Sequence, residues 1–245
     1  MLAGDEPNSQ ASMIGLQEFA PNIWIVDGPI VFDTGFAFTT RMTVVKLSDG
    51  ALWVSSPVPS PFETLEQITK LGPVRYLVAA TPRHVWRLEA WHTLFPEAQL
   101  WAARNTPMTL KPAHLPLTGV LSDQPPAAWA DDLEQLVFKG NPLLSEVIFY
   151  HRRAKTAMLD DILQVDPPMA GRPLQNAMAR FGGVAAPHGG VPLDMRWTFV
   201  NRRLARQSLE QVLAWDFDKL IIAHGDCIEK EAKPFIRRCF RWLTN

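Results

Sequence analysis

The chain has 245 residues, 47% hydrophobic and 20% charged, with a formal net charge of −1. That length suits one large domain or two small ones and buries enough core to fold without a disulfide or metal staple. The near-zero charge excludes a broad nucleic-acid footprint, which needs a clear basic excess. Cys227 and Cys239 are too few for a disulfide framework and read as reduced, partly buried thiols. The N-terminus has no basic region followed by an apolar stretch, and no apolar run is long enough to span a bilayer. A cytoplasmic location is therefore expected. Nine tryptophans, scattered along the chain, supply core and interface area. A homo-oligomer is left open.

Residues 1–15 are polar and unpatterned and read as a loose tail; residues 16–245 read as one domain. Short β-like runs follow at Asn22–Val26, Met42–Leu47 and Ala51–Ser55. The last two are joined by Ser48-Asp49-Gly50, and Asp-Gly is a strong hairpin signal. Ser60 as N-cap, Pro61 in the first helical position and Glu63 predict a capped helix to about Leu71. Gly72-Pro73 ends it. Val74–Ala80 (VRYLVAA) is a buried strand by its nearly continuous apolar character. Leu88–Phe95 is expected to be helical and Ala98–Ala102 extended.

Residues 103–131 are rich in proline and short on periodicity, which predicts a long connection with at most a helical turn. Strands resume at Leu133–Phe138, Glu146–His151 and Thr156–Leu159, the last two linked by the basic turn Arg152-Arg153-Ala154-Lys155. Pro173–Phe181 and Leu204–Trp215 carry helical patterns, and Lys219–Ala223 is the final strand. Ile228–Leu243 reads as a closing helix that Pro234 either kinks or truly begins. Alternating strands and helices are the grammar of a layered α/β fold.

Three apolar runs end in potential metal ligands. Val74–Ala80 leads to His84, Thr156–Leu159 to Asp160 and Asp161, and Lys219–Ala223 to His224-Gly225-Asp226. Ligands on loops at strand ends are held rigidly on one rim. A catalytic zinc takes three protein ligands and keeps one position open, so His84, Asp161 and His224 make the minimum set. His224 and Asp161 are the candidate catalytic residues. Asp161 could instead hold a ligand histidine from behind. His151, Asp160, Trp86, Trp91 and Asp226 are candidates for supporting or ligand-binding roles, although His151 also suits a structural bond to backbone and Asp226 a helix cap.

The order of parts resembles the metallo-β-lactamase fold. Leu220–Gly225 (LIIAHG) is similar to that family's final histidine motif, and Met158–Ile162 (MLDDI) to its bridging-aspartate strand. Thr81–Arg87 (TPRHVWR) stands where the family has T-H-x-H-x-D-H, and only His84 keeps a ligand there. Ser stands in Ala51–Pro57 (ALWVSSP) where the family has Asp. Together with Glu89-Ala90-Trp91, Phe95–Ala98 and Glu146–Asp161, these segments resemble a divergent bacterial and plant branch catalogued as a domain of unknown function. The resemblance spans about residues 20–243. It implies an α/β fold, an αββα sandwich of two mixed sheets flanked by helices, with a degenerate metal motif.

Two functions follow. One is a mononuclear hydrolase in which His84, Asp161 and His224 hold zinc or iron, one ion at most, and act on an ester, thioester or phosphoester of a small molecule. The other is a non-catalytic binding or scaffold protein with an eroded, metal-free site and an aromatic groove that could include Trp86, Trp91 and Trp101. A metal-free His224–Asp dyad ranks below both, since no G-x-S-x-G elbow is present.

Overall fold

The computed structural model describes residues 15–33, 35–85, 87–104 and 115–244. The expected tail, Trp86 and the centre of the proline-rich segment lie outside the described residues. Within them, seven strands run in order through the first sheet: β1 (Gln17–Ala20), β2 (Ile23–Asp33), β3 (Phe36–Lys46), β4 (Leu52–Ser55), β5 (Val74–Ala79), β6 (Gln99–Ala102) and β7 (Leu117–Val120). β1 to β4 are antiparallel neighbours; β4 to β7 are parallel. The parallel part needs crossovers, supplied in part by α1 (Phe62–Leu71) and α2 (Leu88–Leu94).

The second sheet has four strands: β8 (Leu133–Phe138), β9 (Glu146–His151), β10 (Thr156–Leu159) and β11 (Lys219–Ile222), in spatial order β11-β10-β9-β8. β10 and β11 are parallel, the other pairs antiparallel. Helices α3 (Pro173–Phe181), α4 (Leu193–Thr198) and α5 (Arg202–Ala214) lie in the crossover between β10 and β11. Helices α6 (Ala232–Cys239) and α7 (Arg241–Thr244) close the chain.

Side-chain alternation explains why several strands read as unbroken apolar runs. Successive residues face opposite sides of a sheet, and here both sides are covered. In β4, Trp53 enters the core between the sheets, while Leu52 and Val54 pack outward with Ile68 of α1 and Leu88 of α2. In β9, Val147 and Phe149 share the inner core with Trp53, while Ile148 and Tyr150 pack on the α5 side with Leu209 and Val212. β11 sorts likewise, Ile221 inward and Leu220 and Ile222 outward. The layers are therefore helix, sheet, sheet, helix, as the resemblance implies.

Several local expectations are corrected. Ser60 does not cap α1: its hydroxyl bonds the Val58 carbonyl, and Pro61 holds the N-cap position without a side-chain bond. β2 and β3 form a hairpin far longer than Asn22–Val26 and Met42–Leu47, broken by a register shift between Gly28 and Val31. Gly28-Pro29 hides this continuity, because proline in a strand is confined to edges and bulges. β7 and α4 were not anticipated; β7 has only four residues and alternates half-buried with exposed positions. The closing helix starts at Ala232, so Pro234 lies in its first turn, where its missing N–H costs nothing.

Trp53 is fully buried and meets Phe149 edge-on at 4.8 Å and Trp129 at 6.5 Å. Trp53→Ala should destabilise the protein by about 3–5 kcal/mol, read as a lower denaturation midpoint at unchanged slope.

Candidate metal centre

β4, β5, β10 and β11 end on one rim, and each delivers a residue to the same point. β4 runs into Ser56, β5 into Thr81 and His84, β10 into Asp160 and Asp161, and β11 into His224. The turn after β11 is shaped by Gly225, at φ +95°. A Cβ there would meet the Val165 carbonyl oxygen at 1.8 Å, so no other residue fits without moving backbone. Val165 in turn bridges to Gly225, donating to the His224 carbonyl and accepting from the Asp226 N–H.

His84 Nε2, His224 Nε2 and Asp161 Oδ1 converge. The nitrogens are 3.3 Å apart, and the carboxylate oxygen is 3.3 Å from His84 and 3.2 Å from His224. The far side of each imidazole is engaged. His224 Nδ1 donates to the Thr39 carbonyl at 2.7 Å, and His84 Nδ1 lies 2.8 Å from Ser56 Oγ and 3.0 Å from Asp160 Oδ2. A carbonyl and a carboxylate can only accept, so this network assigns the hydrogen of each neutral ring to Nδ1. With both rings neutral, the Nε2 atoms would turn their lone pairs to each other and to a carboxylate, so a proton on His84 or a metal ion is needed to join them.

Every surrounding contact serves this convergence. Asp161 Oδ2 accepts from Thr81 Oγ1, and Asp160 Oδ2 from Ser56 Oγ. Glu146, wholly buried at the head of β9, accepts the backbone N–H groups of Asp160, Asp161 and Ile162 at 2.7–3.0 Å. Arg41 Nη1 donates to the carbonyls of Ile222 and Gly225, either side of His224, while its Nε pairs with Asp27 at 2.8 Å. Thr39 Oγ1 accepts the Gly225 N–H. Such partners fix ring orientation and loop position around a metal.

The electrostatics follow. Burial opposes charging of His84, but the carboxylates of Asp161 and Asp160 outweigh it and hold its pKa well above the ordinary value. Burial likewise opposes ionisation of Asp161, yet His84 and the bonds from both imidazoles hold it well below the carboxylate range. Burial, then the charges of Asp161 and Asp160, push Glu146 up to about 8.

The structure thus brings together His84, Asp161 and His224, with Asp160 directly behind His84. These three are the described residues whose ligand atoms cluster closely enough to share an ion, all within 4.8 Å. His151 is elsewhere. It ends β9 at the opposite end from Glu146, accepts the Ala154 N–H, and borders a separate cavity with Asp132 and Arg153. Trp91 is 2% exposed and spends its indole N–H on the Val58 carbonyl, so it supports the wall behind the site and lines no groove. Trp101 packs on Trp129 at 5.3 Å. Asp226 is exposed, lies outside the cluster of His84, Asp161 and His224, and does not cap α6, whose N-cap is Glu231. Trp86 lies outside the described residues. Glu146, Arg41 and Thr39 escaped sequence reading. An acid opening a strand that is otherwise buried throughout was the available signal for Glu146, since a buried charge demands partners.

A cavity of about 140 Å³ opens beside the three ligands. One wall is Pro29, Val31 and Phe38 of the β2–β3 hairpin; another is Pro57-Val58-Pro59. Phe38 stands edge-on to the His224 ring at 5.9 Å.

The pH dependence of the metal-free protein follows from these shifts. His84, with its pKa raised, contributes stability that is complete below 6.5 and lost as pH rises through its folded value. Asp161, with its pKa lowered, contributes above 3.8 and loses its share as pH falls through its folded value. Glu146 has the same sign as His84. The melting temperature of metal-free protein should therefore fall as pH rises above 6.5, and fall less in His84→Gln. Equal slopes in calorimetric scans would refute the assignment.

The family profile of the domain of unknown function DUF4336 matches residues 21–172. A search of curated protein sequences returns no match. Among solved structures, the metal-soaked Flv1 flavodiiron core from Synechocystis sp. PCC6803 aligns with 94% of this chain at 11% identity and a TM-score of 0.64; this chain spans 60% of that one. A metallo-β-lactamase from Pontibacter korlensis aligns over 94% of this chain and 98% of its own at 12% identity, TM-score 0.59. One from Hirschia baltica covers 91% and 98% at 14% identity, TM-score 0.59. These identities speak for architecture alone. Matched over more than half its length, the chain belongs to the DUF4336 family, and its fold is metallo-β-lactamase-like.

Proposed function

We propose that the protein is a mononuclear metal-dependent hydrolase of an ester, thioester or phosphoester, with His84, Asp161 and His224 as ligands. The observation that carries this reading is the convergence of two imidazole Nε2 atoms and one carboxylate oxygen within 3.2–3.3 Å of one another. A proton or a metal ion is needed to join such a group, and the metal-free protein uses the proton on His84.

The spacing favours a particular ion. Four tetrahedral ligands at roughly 2.0–2.1 Å from zinc lie roughly 3.3 Å apart. An octahedral ion at roughly 2.0–2.1 Å sets neighbouring ligands roughly 2.9 Å apart. The separations of 3.2–3.3 Å match the tetrahedron, and three ligands leave its fourth corner for water or substrate. The chemistry such an ion supplies is acidification of water and polarisation of a carbonyl or phosphoryl oxygen.

The chain's own residues do the rest. Thr39 and Asp160 hold the two imidazoles with Nε2 presented. Thr81 fixes the second oxygen of Asp161. Pro29, Val31 and Phe38 cover one side of the cavity and limit water around the reacting group. No helix of the described residues is long and apolar enough to cross a membrane, and the polar site faces a cleft suited to a small-molecule substrate. Of the three anchors of an aromatic binding groove, Trp91 and Trp101 are packed elsewhere, and Trp86 lies outside the described residues.

The test is metal content. Full-length protein purified without a histidine tag should take up close to one equivalent of zinc at neutral pH, by elemental analysis and titration. His84→Ala, Asp161→Ala and His224→Ala should each abolish stoichiometric uptake. Asp160→Asn should weaken it roughly 10–100-fold, as loss of a partner behind a ligand does. Protein that stays metal-free under titration would return the choice to a binding or scaffold role.

A further inference from the structure

Helix α3 is built inside out. A helix on a protein surface turns its apolar stripe to the core and its polar side to water. In α3, Leu174, Ala177, Met178 and Phe181 recur at helical spacing along one side, and all are exposed, Leu174 by 74% and Phe181 by 83%. No residue of the helix is buried. The side that meets the body is polar. Gln175 clasps the Ala37 backbone with both ends of its amide, and Asn176 does the same to Met169. Arg172 lies over the ring of Phe32, itself exposed, at 4.6 Å. Hydrogen bonds hold this helix in place, and its apolar stripe is left facing outward.

The stripe has company. Six of the twelve exposed large hydrophobic side chains among the described residues fall between Leu174 and Leu204, Trp197 of α4 and Val200 among them. Single exposed apolar residues are ordinary, but such a concentration marks an interaction surface. α4 lies close to the end of α3: a Cβ on Gly183 would meet the Arg196 guanidinium at 3.1 Å. The neighbour of Trp197 therefore rests against the turn that follows Phe181. Charge singles out the same stretch. Residues 167–206 hold six arginines and no lysine, against one aspartate and no glutamate, in a chain of net charge −1.

We propose that the outward faces of α3 and α4 dock on a bilayer surface carrying anionic headgroups. Leu174, Met178, Phe181 and Trp197 enter the boundary between headgroups and acyl chains. Apolar and aromatic side chains interleaved with basic ones, almost without acids, are the composition that binds such a boundary, and tryptophan favours the headgroup level. Arg180, exposed beside Phe181, can keep its guanidinium at the phosphates while its stem lies along the apolar layer. A second copy of the chain fits less well, because a two-fold contact sets the same arginines against each other. Area points the same way. The two helices offer roughly 22 Å of length about 10 Å wide, well short of the roughly 800 Å² per partner of a stable interface. Ala37, held by Gln175, neighbours Phe38 of the cavity wall, so docking through α3 turns that wall towards the bilayer.

The experiment sediments full-length protein, metal-free and zinc-loaded, with two kinds of vesicle. One is phosphatidylcholine alone; the other contains about one-third phosphatidylglycerol. The anionic vesicles should carry down roughly tenfold or more protein than the neutral ones in both metal states. Salt at about 0.5 M should release most of it. Leu174→Ser, Met178→Ser and Phe181→Ser combined should abolish binding at unchanged melting temperature and zinc content, because these side chains face away from the core. Arg180→Glu, also at an exposed position, should weaken binding to anionic vesicles alone. Absence of vesicle binding overturns the proposal, as does equal binding to both compositions or binding that survives these substitutions. A dimer in sedimentation velocity that the triple substitution dissolves, without vesicle binding, gives the face to a second copy and overturns it too. Vesicle binding without zinc uptake leaves this proposal standing and sinks only the hydrolase reading.

Discussion

Three lone pairs pointing at one another cannot be a resting arrangement without a positive charge among them. That constraint organises the rim of this protein. His84 Nε2, His224 Nε2 and Asp161 Oδ1 lie 3.2–3.3 Å apart because the opposite atoms of the same side chains are already committed to Asp160, Thr39 and Thr81. In the absence of a metal the only remedy is a proton, which is why His84 is pushed towards the charged form and Asp161 is held ionised. Proton and metal compete for the same atoms, so acidification should act on metal affinity through His84.

The commitments behind the ligands are long-range. His224 follows the last strand, and its ring is oriented by Thr39 in β3, 185 residues earlier. Asp160 and Asp161 are held by Glu146 from β9 through their own backbone. Arg41 ties β3 of the first sheet to the turn after β11 of the second. The inner core led by Trp53, Trp129 and Phe149 keeps the sheets in register, so packing remote from the site sets ligand distances at it.

What could be read in the sequence follows from locality. Strands covered on both faces announce themselves as apolar runs, and β5, β8, β9, β10 and β11 were legible within a residue or so. The residues that directly follow such runs were legible too, hence the meeting of His84, Asp161 and His224 at one point. The long β2–β3 hairpin was not, because Gly28 and Pro29 interrupt its pattern while cross-strand pairing carries it through. Supporting groups were harder still. Thr39 orients His224 through its backbone carbonyl, which no side-chain pattern reveals. His151 has the same strand-end signature as His84 but sits at the other end of its sheet, because β9 runs antiparallel to β10. Sequence shows that a residue ends a strand; only the strand's direction says on which rim.

Degeneracy of a motif and loss of a site are different things, and the buried charges separate them. Glu146, Asp160 and Asp161 are 0%, 8% and 4% exposed and meet at the end of one strand, beside two largely buried imidazoles. Removing each carboxylate from water costs several kcal/mol unless a cation or a set of donors offsets it. Glu146 has its backbone donors and Asp160 its hydroxyl and imidazole, whereas among the described residues Asp161 Oδ1 meets the two Nε2 atoms. Apolar side chains would stabilise the same loops at less cost, as replacements of buried ion pairs do. The motif around His84 is short of ligands for two ions, yet each of the three groups that would hold one keeps a partner behind it: Asp160 behind His84, Thr39 behind His224 and Thr81 behind Asp161.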